Sequence, residues 1–225
     1  DKLYSVIAHD LRSPMGSIKM VLNMLMLNLP VEKIGGEMYE LLTMANRTTE
    51  DVFSLLDNLL KWTKSQIGNL NVVYQDVDAV EVVDSVIDVF NMVAGLKKIT
   101  IREEKPEKLP VCTDIDMLKT IIRNLLSNAI KFSNENSEVL VKMEEQGDTV
   151  VVSVKDSGCG IDEEGQQKLL HTDTHFSTFG TNNEEGSGLG LLLCQDFAVK
   201  IGGKLWFTSK EGEGSTFYFS IPLKK

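Results

Sequence analysis

Cysteine, histidine, proline and tryptophan are all scarce in this 225-residue chain, which has 3 Cys, 3 His, 5 Pro and 2 Trp. The cysteines, Cys112, Cys159 and Cys194, are odd in number and share no paired spacing. No disulfide framework is therefore expected, and a reducing, cytoplasmic compartment fits better. No apolar run reaches the roughly 20 residues that a membrane-spanning helix needs. Neither a signal peptide nor an initiator Met opens the chain. Asp1 leads straight into a helical pattern, so we expect a piece of something longer. Basic residues are short too: 23 Lys and Arg against 33 Asp and Glu leave a formal charge of -10. That balance argues against a nucleic-acid partner, since binding a phosphate backbone needs a basic face. There is no internal repeat and no low-complexity segment.

What is present is ordinary for a globular protein, 42% hydrophobic and 25% charged, and long enough for one large domain or two small ones. The first third is helical. Leu3, Ile7, Leu11, Ile18, Leu22, Leu25 and Leu29 recur at spacings of three and four. Pro30 and Gly35-Gly36 mark a turn. A second series, Met38, Leu41, Leu42, Ala45, Val52, Leu55, Leu56, Leu59 and Leu60, runs to about Ser65 and stops at Gly68-Asn69. Two long helices cannot enclose their own apolar stripes. The pair is expected to dimerise into a four-helix bundle, or else to pack against the downstream domain.

From Val72 the pattern changes. A helix runs through Val83, Val86, Ile87, Phe90 and Val93, and a short strand comes next at Ile99 to Ile101. Asp114 caps a helix running to Phe132. Val139/Val141/Met143 and Val150/Val152/Val154 alternate as strands of a hairpin about Gly147-Asp148. A helix begins near Gly188 and ends at Gly202-Gly203. A last hairpin joins Leu205 to Ser209 with Thr216 to Ile221. The expected fold is a helical hairpin over residues 1–69 followed by an α+β sandwich over residues 70–225.

Three stretches of the second part carry chemistry. Asn124, Asn128 and Lys131 stand at i, i+4 and i+7, on one helix face. Asn favours caps and turns over helix interiors; a solvated face is the bland reading, and a bound group is the better one. Amide oxygens ligate hard cations, and Lys neutralises phosphate. Asp156-Ser157-Gly158-Cys159-Gly160-Ile161 comes directly after a strand. Its acid can accept a hydrogen bond from an exocyclic amine, and its glycines admit a flat ligand close to backbone. On these six residues alone, a plain strand-to-loop turn reads slightly better. Gly186-Ser187-Gly188-Leu189-Gly190 opens a helix and offers its N–H groups to phosphate. It matches neither the Walker loop nor the dinucleotide fingerprint. Between Asp162 and Ser187 lies a long polar stretch of the kind that forms functional lids. His171 and His175 within it are spaced as a metal pair but lack a third ligand, so polar lid residues are the better reading.

The order Asn-x-x-x-Asn-x-x-Lys, Asp-x-Gly-x-Gly, Gly-x-Gly-x-Gly resembles the gyrase-like (Bergerat) ATPase superfamily. With His9-Asp10-Leu11-Arg12-Ser13-Pro14 upstream on a helical hairpin, the whole chain resembles the catalytic core of a sensor histidine kinase of two-component signalling. The resemblance implies ATP and Mg²⁺. Asn128 would hold the metal against the phosphates, with Asn124 and Lys131 beside it. Asp156 would bind the adenine amine, Gly158 and Gly160 would shape the base pocket, and Gly186, Gly188, Leu189 and Gly190 would flank the phosphates. Thr216, after Gly212 and Gly214, matches the last nucleotide-box position. His9 would be the phosphoacceptor and Asp10 its base. Ser13, one turn on, stands where the family more often has Thr or Asn to position water, which implies weak phosphatase activity. The implied partners are a second copy, through the hairpin, and the receiver domain of a response regulator. Any membrane contact would lie in a missing N-terminal region. The lid departs from the commonest family form, reading Phe176-Ser177-Thr178-Phe179-Gly180-Thr181.

Neutral imidazole is the nucleophile in such a transfer, and an unperturbed pKa of ~6.5 leaves much of His9 neutral at pH 7. Two other classes stay open, a non-catalytic ATP-binding scaffold and a gyrase-like Ser/Thr protein kinase.

Overall fold

Helices α1 (Lys2–Asn28) and α2 (Gly36–Gln66) make up the first of two units into which the chain divides, Asp1–Asn71 and Val72–Lys225. The computed structural model describes residues 2–29, 35–66, 71–169 and 189–223. Gly35, at φ 79°, takes the left-handed conformation just ahead of α2, and Glu37 in the first turn suits the positive end of the helix dipole. Arg12 pairs with Asp57, Lys19 with Glu50 at 3.5 Å, and a Cβ on Gly16 would sit 3.7 Å from the Phe53 ring. Residues three and four apart on one helix thus meet residues three and four apart on the other, so α1 and α2 lie antiparallel. Leu56 and Leu60 are buried between them, with Met15, Val52 and Leu59 packed alongside. Leu11, Ile18, Val21, Leu25, Met38 and Leu41 remain exposed. Pro14 lies inside α1, where it cannot donate to the carbonyl of Asp10 and its ring crowds that residue.

The second unit is an α+β sandwich. Its main sheet has the order β2-β4-β5-β7-β6, built from β2 (Thr100–Glu104), β4 (Glu138–Gln146), β5 (Thr149–Lys155), β6 (Leu205–Lys210) and β7 (Gly214–Pro222). Neighbours are antiparallel except β2 and β4, which run parallel. Alternation sends Val139, Val141 and Met143, then Val150, Val152 and Val154, then Phe217, Phe219 and Ile221 to the buried face. Registers such as Val141↔Val154 and Val152↔Phe219 stack them across strands. Helices α3 (Ala79–Leu96), α4 (Ile115–Phe132) and α6 (Leu189–Lys200) complete this core with Val83, Ile87, Leu118, Ile122, Leu125 and Leu193. A short helix, α5 (Glu163–Lys168), is capped by Asp162. On the other face of the sheet Trp206 stacks on Tyr218, with ring centroids 5.3 Å apart.

Two strands go beyond the sequence reading. β1 (Gln75–Asp78) and β3 (Pro110–Thr113) pair antiparallel as a separate small sheet. Each has four residues, too few for alternation to be counted. Two capping aspartates bracket this ribbon. Asp78 ends β1 and caps α3 through Val80 N, while also accepting from Leu109 N at 2.9 Å. Asp114 follows β3 and caps α4 through Asp116 N and Met117 N, while its other oxygen accepts from Val73 N at 2.8 Å. Each carboxylate thereby ties a helix start to the residues leading into the opposite strand.

Candidate functional site

Helix α4 buries Leu118, Ile121, Ile122, Leu125 and Leu126 on one side. Asn124, Asn128 and Lys131 lie on the other, each half-buried. Asn124 Nδ2 donates to the Thr120 carbonyl one turn back at 2.9 Å, which commits the amide nitrogen and leaves Oδ1 directed away from the helix. Against that oxygen lies the first turn of α6: a Cβ added to Gly190 would stand 2.7 Å from Asn124 Oδ1. Leu189, beside it, is buried. A second contact, Cys194 Sγ to the Ile121 carbonyl at 3.8 Å, holds the same two helices together.

Asp156 stands at the end of β5 and is 4% exposed. Its Oδ1 accepts from Gly158 N at 2.9 Å and Ser215 N at 3.2 Å, and its own N–H donates to the Ser215 carbonyl. Burial raises the pKa of this carboxyl above the ordinary carboxylate value, and the backbone donors pull it part of the way back. Among the described residues, no donor occupies Oδ2.

The loop after Asp156 is pressed between two elements. A Cβ on Gly158 would lie 2.1 Å from the Phe132 carbonyl at the end of α4. One on Gly160, at φ 67°, would lie 2.0 Å from the Lys210 carbonyl at the β6–β7 turn. Glycine is required at both positions, by close approach and at Gly160 also by backbone conformation. Gly212 N donates to the Cys159 carbonyl at 2.7 Å, and Ile161 N to Ser209 Oγ at 2.9 Å, which fastens the loop to the turn. Thr216 sits one residue beyond Ser215, paired with Lys155 on one side and Thr208 on the other.

Four stretches distant in sequence therefore meet: the polar face of α4, the loop from Asp156 to Gly160, the start of β7, and the first turn of α6. Ser215 is a participant that the sequence reading missed, because a backbone donor leaves no mark in side-chain pattern. Gly186, Gly188, His171, His175 and the stretch from Phe176 to Thr181 lie outside the described residues. His9, Asp10 and Ser13 lie in α1, in the other unit; their side chains are likewise outside the described part.

A buried carboxylate with one open oxygen, beside a loop without Cβ atoms, suits the amine edge of a flat heterocycle. Two amides and a lysine in register suit an anion bound with a hard cation. The amides alone supply too few ligands for such a cation, and an anion or water would complete its coordination.

Residues 113–225 match the family of histidine kinase-, DNA gyrase B- and HSP90-like ATPases. The chain is similar to the adaptive-response sensory kinase SasA of Crocosphaera subtropica, 29% identical over 228 residues that cover 99% of this chain and 59% of that protein. It therefore spans less than two thirds of that curated relative. Among solved structures, full-length ShkA in complex with AMPPNP has a TM-score of 0.74 at 21% identity, covering 100% of this chain and 46% of that one. The catalytic domain of the histidine kinase ThkA has a TM-score of 0.59 at 31% identity, covering 67% of this chain and 96% of that one.

Proposed function

This chain belongs to the family of histidine kinase-, DNA gyrase B- and HSP90-like ATPases, and from that premise we propose that it is a sensor histidine kinase core, which phosphorylates His9 from ATP and passes the phosphoryl group to an aspartate of a response-regulator receiver domain. The observation that carries the reading is the meeting of Asp156, with its open Oδ2, and the Asn124–Asn128–Lys131 face beside Gly190.

In this reading Asp156 accepts the adenine amine, and Gly158 and Gly160 let the base approach the backbone. Lys131 and the N–H groups around Gly186, Gly188, Leu189 and Gly190 receive the phosphates, with Thr216 at the pocket's edge. Asn128 would hold Mg²⁺, with Asn124 next to it, and the bound ion would supply positive charge to offset that of the phosphates. A neutral nitrogen of His9 forms the N–P bond as the bond to the bridging oxygen breaks. The electron pair leaves on ADP, and the proton on the other imidazole nitrogen passes to Asp10. Ser13 positions water in a weak hydrolysis of the phosphorylated regulator, which releases inorganic phosphate.

The exposed apolar residues of α1 and α2 support a second copy as the first partner, in a four-helix bundle. Residues 1–69 would then be the dimerisation and phosphoacceptor part and residues 70–225 the ATP-binding part. Among the described residues no helix is long and apolar enough to cross a membrane. The proposed use of ATP and of a response-regulator receiver domain assigns this core to the cytoplasm.

Incubation with Mg²⁺ and γ-labelled ATP tests the activity. The chain is expected to gain a phosphate that is labile in acid, stable in base and missing from His9→Gln. Acid-stable phosphate on a partner would point instead to a Ser/Thr kinase. Tight ATP binding without any label would point to a scaffold.

A further inference from the structure

Lys97 follows the last residue of α3 and is 7% exposed, an uncommon burial for a lysine. Its main chain closes α3 by donating to the Ala94 carbonyl, and Lys98, at φ 54°, then turns the chain toward β2. The side chain runs across to α4, where Nζ donates to the Ile130 carbonyl at 3.1 Å and the Lys131 carbonyl at 2.8 Å.

Those carbonyls belong to the last turn of α4, where a helix has no partners of its own to offer and its dipole is negative. A helix end usually finishes with a glycine or with water, whereas a cation taken out of water carries a desolvation cost. Here the cation sits under the turn that bears Lys131, one residue before the Phe132 carbonyl on which Gly158 rests. We propose that Lys97 is a positioning residue for the phosphate side of the nucleotide site: by binding the carbonyls of Ile130 and Lys131 it holds the last turn of α4 wound, and so sets where Lys131 meets the ligand. The inference rests on the nucleotide reading of this site. Asp156 is held through β5, β7 and Ser215 N, and reaches the end of α4 only indirectly, by way of Gly158, so the adenine contact depends less on Lys97 than the phosphate side does.

Titration calorimetry of the full chain with Mg-ATP and, separately, with adenosine tests this division. Lys97→Met keeps the length of the stem and removes the hydrogen bonds to the Ile130 and Lys131 carbonyls. It is expected to weaken Mg-ATP by about tenfold, the scale of one lost charge-assisted bond, while adenosine affinity changes less than about threefold. Equal losses for both ligands, or no loss for Mg-ATP, would overturn the proposal. Should Lys97→Met fail to fold, Lys97→Gln, which keeps one donor, is read by the same ratio and is expected to shift it in the same direction by less; an unchanged ratio there counts against the proposal. A parent chain that binds neither ligand would overturn the nucleotide reading itself, and this inference with it.

Discussion

Asp156 is under two opposed demands. Burial disfavours its charge, while the Gly158 and Ser215 amides favour it, and the first effect is the larger. A carboxyl with a raised folded pKa binds its proton more readily in the native state than in the unfolded one. Its contribution to stability is therefore greatest below the ordinary value of 3.8 and is lost as pH rises through the raised value. Asp156→Asn removes that slope and keeps an oxygen for both amides, so the unliganded variant is expected to be at least as stable as the parent at pH 7. It should nonetheless lose ATP, because an amide in place of Oδ2 presents a donor to a donor. Urea unfolding across pH, with ATP titration alongside, checks both halves; a variant that still binds ATP with parental affinity would sink the adenine role. The glycines rank in the same manner. A methyl on Gly158 meets a backbone carbonyl, whereas one on Gly190 meets the end of the Asn124 side chain. We expect Gly158→Ala to cost about 3 kcal/mol and Gly190→Ala about 1 kcal/mol, read from urea midpoints. Between the two loop glycines, Cys159 is exposed, while Cys194 is buried and its thiol pKa pushed up. A maleimide should modify Cys159 ahead of Cys194, and saturating Mg-ATP should slow it.

Elements fail or hold by their ends, and α4 is the clearest case. Asp114 serves Asp116 N, Met117 N and Val73 N at once. Its replacement by Ala removes a cap and also leaves a donor of the β1 approach unmatched. The expected loss is about 2 kcal/mol or more, and Asp114→Asn should recover part of it; a loss under about 0.5 kcal/mol would mean that the bond to Val73 contributes nothing. The same helix marks the limit of what sequence carries. Its cap and its polar face were legible because each is a matter of spacing along one element. The ribbon of β1 and β3 was not, since four-residue strands hold no countable period. The parallel pairing of β2 with β4 was hidden for a related reason: register between distant strands depends on the crossover through α4, which no local pattern encodes. Ser215 and Lys97 act through backbone partners far off in sequence, so neither residue type nor spacing marks them out. The glycines at 158, 160, 212 and 214 were visible as a concentration of one residue type; the carbonyls that Gly158, Gly160 and Gly214 press against explain three of them, and a φ of 79° explains Gly212.

At the scale of the whole chain, the division at Asn71 and Val72 separates chemistry as well as structure. His9 is in one unit, and every described residue proposed to bind nucleotide is in the other. Each unit has its own core: Leu56 and Leu60 with their neighbours in the first, the sheet and three helices in the second. Expressed apart, residues 72–225 should fold as a monomer and bind Mg-ATP without labelling themselves. Residues 1–71, whose exposed Leu11, Ile18, Leu25 and Leu41 need cover, should associate as a dimer by sedimentation and bind no nucleotide. Mixing the two should restore phosphate on His9, but with a different rate law. In the intact chain the covalent connection would hold the proposed substrate and site at an effective concentration of about millimolar, so labelling per chain should not change on dilution while a dimer persists. In the mixture the initial rate should rise in proportion to the concentration of the ATP-binding fragment and be abolished by Asp156→Asn in that fragment alone. Label on residues 72–225 by themselves, or a mixture whose rate ignores fragment concentration, would contradict a division of labour between the two units.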